Sequence, residues 1–519
     1  MKNSRWISLL ILCTGFLLIV VDMTIVNVAL PSIQQNLGFS PSGLAWVVNA
    51  YLIAFGGLLL LAGRLGDLVG RKRIFLIGLG IFTGASVLCG LSFAQPMLIA
   101  ARFIQGTGGA ASSAVILAMI VTLFPEPLER AKAFGIFSFV ASAGAAVGLL
   151  AGGVITAAVS WHWIFFVNLP IGLVTAALAA RLLEPDRGIG PLPRLRRVLP
   201  RHPTPRSRLP RGPREARWLR GVSQGDPSRG GEGKGADVLG AVTVTAALML
   251  GVYAIVQTSE FGLVSQRTVV LGAITVGLLA AFVVRQAVGR NPILPLDIFR
   301  SRKVAGANIV QALMTTAFFG FFFLGSLDFE QVLGYGPMEI GLAFLPVAAV
   351  MALFSIRLSA QLIGRYGPWA MLVVGQVVVA LALVMVAVGP TIPNYMVHLL
   401  VPMALLGLGG GLSFPALTMI AMAGVQPSES GLASGLLNTT GQVGGAFGLA
   451  VLATVAGARS LDLVKEGTTL QLALADGYHF AWLLAACIVV VTVAITVALL
   501  RGGGSAETAT APVEWEAAA

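Results

Sequence analysis

Apolar runs of about 20 residues recur along this chain from one end to the other, and most contain no charge. In a bilayer every backbone N–H and C=O needs an internal partner, so runs of this length read as membrane-crossing helices. They fall near 7–30, 44–63, 74–94, 97–124, 133–157 and 163–183, then 238–257 and 268–287. Six more lie near 304–327, 338–356, 369–389, 396–421, 431–456 and 480–500. That makes fourteen spans, and composition agrees with a polytopic membrane protein: 56% of the 519 residues are hydrophobic and 11% charged, against about a quarter charged in soluble domains. The first run is too long for a signal core and meets Pro31 without a small-residue cleavage site, so it reads as a span.

Basic residues give the spans a direction. Lys2 and Arg5 precede the first. Alternate loops then carry Arg64 and Arg71–Arg73, Arg130 and Lys132, Arg285 and Arg290, Arg300–Lys303, and Arg357 and Arg365. The loops at 31–43 and 91–96 have no Lys or Arg. The positive-inside rule therefore expects both termini in the cytoplasm of a multi-pass protein of the cell membrane. Most of the +12 net charge lies in 185–236, an Arg/Pro/Gly stretch with too little apolar surface to fold. It reads as a disordered basic loop apposed to anionic lipid rather than a nucleic-acid site. Cys13, Cys89 and Cys487 have neither disulfide nor metal spacing and read as small packing residues.

The halves echo each other. "RFIQGTGGAASSAVILAMI" (102–120) resembles "MALLGLGGGLSFPALTMI" (403–420), with Gly106, Gly108 and Gly109 matching Gly407, Gly409 and Gly410. Internal repeats of this kind build many secondary transporters, and small residues let helices approach closely. Arg102 stands where the second half has Met403, so the shared packing does not require the arginine.

"GRLGDLVGRKR" (63–73) closes the second span with turn-forming glycines, an acid and a basic cluster. As a bare loop it would only hold the chain at the headgroups. It resembles the loop signature of the major facilitator superfamily, carried here by Gly63, Asp67, Gly70, Arg71 and Lys72, with Leu68 where a basic residue is common. "DMTIVNVALPSI" (22–33) and "WHWIFFVNLPIG" (161–172) are similar to the first and sixth spans of the fourteen-span drug:proton antiporter branch, with His162 where arginine is usual. "ARFIQGTGGA" (101–110) resembles the fourth-span motif whose arginine is implicated in proton coupling. "GAAVGLLAGG" (144–153) resembles the fifth-span antiporter motif, with Leu149 in place of its proline. The resemblance covers nearly the whole chain outside 185–236. It implies an all-α major facilitator fold: a six-span half at 1–183, a cytoplasmic basic loop at 184–236, and two added spans at 237–290. A second six-span half at 291–501 and a cytoplasmic tail at 502–519 complete it. It further implies that the 63–73 loop is a conformational latch and that Gly144, Gly148, Gly152 and Gly153 pack the antiporter helix.

Asp22 is the costly residue. A carboxylate at mid-bilayer is unfavourable by roughly 2.5–3.5 kcal/mol on insertion scales, and intramembrane charges face a partner or a cavity. Either Asp22 only hydrogen-bonds a neighbouring helix, or it faces the central cavity and exchanges protons, with Arg102 in the relay that the resemblance implies. Asp328 and Glu330, near the far end of the ninth span, are either an exposed acidic rim or a vestibule favouring cations or protons. Met314, Phe318 and Phe321 are candidates for an apolar substrate cavity, though such a stripe is commonly plain packing. "GEGKGAD" (231–237) lacks the Ser or Thr and the strand of a nucleotide loop, and no metal, flavin or triad constellation occurs. The expectation is a non-enzymatic, cofactor-free antiporter that binds small molecules and protons, acts as a monomer and exports lipophilic or cationic drugs. Export of one metabolite or self-made antibiotic, nutrient import and a non-transporting sensor are the alternatives.

Overall fold

The computed structural model describes residues 2–184, 237–262, 265–289, 292–391, 393–423 and 430–500. The basic stretch at 185–236 and the tail from 501 lie outside the described residues, as do the expectations placed on them. Elsewhere the described chain is helical. α1 is Lys2–Leu37, α2 Pro41–Val69, α3 Arg71–Gly90, α4 Gln95–Leu123, α5 Pro127–Ala158, α6 Trp163–Phe166 and α7 Asn168–Leu182. Then come α8 (Val238–Phe261), α9 (Gln266–Val288), α10 (Arg302–Gln331) and α11 (Pro337–Leu353). The last are α12 (Ser359–Tyr366), α13 (Pro368–Ala387), α14 (Leu400–Ala423), α15 (Ser430–Lys465) and α16 (Leu470–Leu500), with single π turns at Phe354–Leu358 and Tyr395–Leu399. Among the described residues, twelve helices are long and apolar enough to cross a membrane. Two further apolar helices, Ala143–Ala158 and Pro337–Leu353, are shorter.

Helices outrun the apolar stretches that mark them. α1 does not stop near Pro31. It passes through that proline and ends at Leu37, where Gly38 takes φ +68°, a left-handed conformation that glycine adopts without Cβ strain. The last turns, "IQQNL", are polar, and hydrogen bonding rather than apolarity sets the helix end. The sixth span runs from Trp163 to Leu182, and α6 passes into α7 at Val167, whose backbone stays in the helical region.

The repeat is structural. In the first half a Cβ on Gly106 would collide with the Tyr51 backbone of α2, and one on Gly108 with α3 at Phe82 and Gly78. In the second half Gly407 meets α11 at Val347 in the same way, and Gly409 meets α13 at Gly375 and Val379. Both halves therefore put their fourth helix against the second and third through the same glycine faces. Gly334, which ends the first long helix of the second half at φ +71°, matches Gly38. Asp22 lies sixteen residues before Gly38, and the residue sixteen before Gly334 is Phe318. The second half thus has Phe318 and Met403 where the first has Asp22 and Arg102.

α8 and α9 form a hairpin between the halves. α8 is wedged against α2 and α15, with Thr245 facing Gly57 and Phe447 facing Gly251, whereas α9 packs mainly on α8. Asp237 caps α8, accepting from the Gly240 N–H at 2.8 Å, and ties it to α9 through Arg285 (2.7 Å) and Gln286 (2.9 Å). The halves meet where α2 packs on α15, α5 on α11 and α1 on α10. At the end of the bundle away from the Arg71–Arg73 loop, hereafter the far end, polar contacts join α1 to α10. Gln35 donates to Glu330 at 2.8 Å, Gln331 donates to Gln34 at 2.7 Å, and Ser326 donates to the Asn27 carbonyl. Beside them Gly153 of α5 touches the backbone of Pro337 and Met338, and Gly341 of α11 touches the carbonyl of Leu149. The far end is closed.

Candidate coupling site

Asp22 is fully buried on α1, and its carboxylate is saturated with donors. Arg102 of α4 gives Nη1 to Oδ2 at 2.6 Å, while Gln105 donates to Oδ1 at 2.7 Å and Asn168 of α7 donates to Oδ1 at 3.0 Å. Asn168 also donates to the Ser86 hydroxyl of α3 at 3.0 Å, and that hydroxyl donates to the Phe165 carbonyl at 2.9 Å. Four helices of one half therefore converge on one carboxylate. The expectation that Asp22 faces the central cavity is not met in this structure, because its partners turn it inward among α1, α3, α4 and α7. Asn27, five residues on along α1, donates back to the Met23 carbonyl at 3.1 Å.

Arg102 is 1% exposed and has more than one acceptor. Its Nε donates to the Val47 carbonyl of α2 at 3.0 Å and its Nη1 to Gln105 at 2.8 Å. Its guanidinium also lies 4.4 Å from the Tyr51 ring centroid, a cation–π contact that strengthens when desolvated. This sharing has a chemical consequence. Removing one partner of a buried pair normally leaves an uncompensated charge. Here a neutral Asp22 would leave Arg102 with a carbonyl, an amide oxygen and an aromatic face. Arg102 therefore has partners of its own besides the carboxylate.

The 63–73 loop binds within its own half. Asp67 pairs with Arg71 at 3.1 Å; Arg71 also donates to the Ala118 carbonyl and the Thr122 hydroxyl of α4, at 3.2 and 3.3 Å. Lys72 donates to the Ala180 carbonyl in the last turn of α7 and to the Leu183 carbonyl just past it. Gly70 has φ +111° and turns α2 into α3. On α5, Gly144 faces Leu17 and Val20, Gly148 faces Thr24 and the Val21 carbonyl, and Gly152 faces the Ile25 carbonyl at 2.8 Å from a built Cβ. These glycines make one seam with α1, the helix that carries Asp22. Gly153 leaves that seam and faces α11.

A family model for the Major Facilitator Superfamily matches residues 12–449. Puromycin resistance protein pur8 of Streptomyces alboniger is 36% identical over 90% of this chain and 84% of its own length. Cephamycin export protein CmcT of Amycolatopsis lactamdurans is 36% identical over 87% of this chain and 85% of its own. The chain belongs to the major facilitator superfamily. It is a membrane transporter and not an enzyme. Multidrug resistance protein Stp of Mycobacterium tuberculosis is 31% identical over 88% of this chain and 76% of its own. The fold agrees with a crystal structure of a bacterial homologue of the lysosomal transporter Spinster, inward-facing and unoccupied. That structure has a TM-score of 0.63 at 16% identity and covers 96% of this chain and 98% of that one.

Within this major facilitator, Asp22 and Arg102 come together, and each loop residue joins its neighbours in the first half. Met314, Phe318 and Phe321 of α10 are all buried. Phe318 packs edge-on against Phe414 with centroids 5.2 Å apart, and Phe321 contacts Phe344 and Trp482. Asp328 is 2% exposed and Glu330 half-buried, so they form no exposed rim. Of the cysteines, Cys13 and Cys89 are packed inside, while Cys487 faces outward from α16. Sequence reasoning missed Gln105 and Asn168. Both lay inside motifs it quoted, and the signal was an amide in an otherwise apolar run.

Proposed function

We propose that the chain is a proton-driven antiporter that exports lipophilic, often cationic, drug-like molecules across the cytoplasmic membrane by alternating access. The observation that carries the coupling is the buried Asp22–Arg102 pair, which one half has and its structural repeat replaces with Phe318 and Met403. Packing alone is satisfied without it, so it serves a chemical step. A proton reaching Asp22 neutralises the carboxylate, loosens its hold on α4 and α7, and leaves Arg102 on its remaining acceptors. The α1–α5 glycine seam transmits the shift to the far-end contacts between the halves. With no nucleotide loop in the chain, the membrane potential, at about 2.3 kcal/mol per charge per 100 mV, and the proton gradient drive export.

In this reading the basic loops and both termini are cytoplasmic, the closed far end faces outside, and α8 and α9 are two spans added to twelve. The 63–73 loop is a conformational latch, and the transporter acts as a monomer. The relatives named for puromycin resistance and for cephamycin export support export of antibiotics; the latter also favours the narrower reading of one dedicated substrate. Everted vesicles given a proton gradient and a panel of dyes and antibiotics test both readings. Proton release by many compounds means multidrug export, release by one chemical class means a dedicated exporter, and no release rejects antiport.

A further inference from the structure

The second half holds a carboxylate that the coupling site does not use. Asp328 on α10 lies ten residues beyond Phe318 toward the far end and is 2% exposed, and its side-chain carboxylate has no hydrogen-bond or ion-pair partner among the described residues. It lines a small cavity with His398, His479, Trp482, Leu399 and Pro390, with room for about one water molecule. The indole N–H of Trp482 is likewise buried and unpartnered among the described residues. The two histidines are graded in exposure. His398 is exposed, its Nδ1 accepting from the Asn394 N–H at 3.1 Å, and His479 is half-buried beside Trp482 at 5.7 Å between ring centroids.

Among the described residues, the surrounding charges supply no counter-ion. From α16, Tyr478 gives its hydroxyl to Gln331 at 2.7 Å, and Asp476 is paired with Arg459 of α15 at 2.9 Å. The Glu339 carboxylate of α11 accepts from the Gly336 N–H at the start of its own helix. Asp462 and Lys465 of α15 pair with each other at 3.1 Å. α1 presents only Gln34 and Gln35 here, Tyr395 donates to the Ala343 carbonyl, and Glu330 accepts from Gln35. Imidazoles are the side chains that exchange protons near neutral pH, and two of them line the cavity that Asp328 lines.

We propose that Asp328 is a second proton-binding site, loaded from the far end through His398 and His479. Its part in transport rests on the antiport reading; its existence as a protonatable site does not. Two measurements on the purified full chain separate these. In detergent without substrate, infrared difference spectra between acid and alkaline pH will show a protonated-carboxyl band in the wild type that Asp328→Asn lacks and Asp328→Glu restores at a shifted frequency. The same band in wild type and Asp328→Asn would overturn the site. In proteoliposomes, protons released per drug will fall in Asp328→Asn and recover in Asp328→Glu, and an unchanged ratio would overturn its role in coupling. A wild type that releases no protons would overturn antiport alone, leaving the infrared result to decide the site. If Asp328→Asn cannot be produced, the double variant His398→Gln/His479→Gln will slow the appearance of that band after a pH jump, and an unchanged rate would reject the route.

Discussion

Arg102 contacts Val47, Gln105 and the Tyr51 and Phe165 rings as well as the Asp22 carboxylate, which separates substitution of either member of the pair in kind. Arg102→Ala strips Asp22 of its cation and leaves a buried charge held by Gln105 and Asn168 alone, at a cost of about 3–5 kcal/mol. It should lower the melting temperature in detergent as well as abolish proton-coupled export. Asp22→Asn keeps the shape and removes the charge. It should leave the protein folded and in the membrane while proton-driven uphill export is lost, as shown by vesicle transport set against immunoblot level. Asn168→Leu removes the α7 donor and breaks the bridge to Ser86, so a reduced export rate at normal protein level is expected. Unchanged transport would make Asn168 a packing residue. Asp22 and Arg102 were legible in the sequence because a charge in an apolar run is costly and conspicuous. Asn168, Gln105 and Ser86 were not, since neutral polar groups within spans are common and their partners depend on which helix faces meet.

Gly148 and Gly152 sit against the backbone of α1 near Val21 and Ile25, and backbone cannot move aside as a side chain can. Gly148→Leu should destabilise by about 1–3 kcal/mol or more, read as loss of monodisperse protein on size-exclusion chromatography, whereas Gly80→Ala, where a Cβ meets nothing within 4 Å, should be neutral. The α8–α9 hairpin has a titratable clasp outside the membrane spans. Burial pushes the Asp237 carboxyl up, but Arg285, the Gly240 N–H and Gln286 outweigh it and hold the group below its ordinary value of 3.8. The folded form therefore binds its proton more weakly than the unfolded form. The clasp stabilises fully above about pH 4 and fades as pH falls through the lower folded value. The melting temperature of the wild type should drop more steeply below that pH than that of Asp237→Asn, and parallel slopes would deny the clasp. The glycine seams were readable as small-residue spacing. Helix ends were not: α1 runs on through Pro31 into polar turns, because apolarity marks the bilayer while hydrogen bonds and Gly38 set where the helix stops.

The whole molecule is two repeats closed at one end and unequal in chemistry. Their shared glycine faces made the two-half plan legible, and so did the mismatch of Arg102 with Met403. The closure of the far end was not legible, because it depends on Gln34, Gln35, Glu330 and Gln331 meeting across a distance of about 300 residues in sequence. If this closure opens during transport, joining Gln35→Cys to Glu330→Cys with a short thiol cross-linker, in a background lacking Cys13, Cys89 and Cys487, will stop export, and reversal of the link will restore it. Continued export by the linked protein would show that these ends need not part. The most direct test of the account is uphill transport by Asp22→Asn in proteoliposomes with an imposed pH gradient. The account predicts that wild-type protein concentrates drug against its gradient while the variant only equilibrates it, with exchange of labelled for unlabelled drug preserved. Accumulation by Asp22→Asn equal to wild type would contradict it.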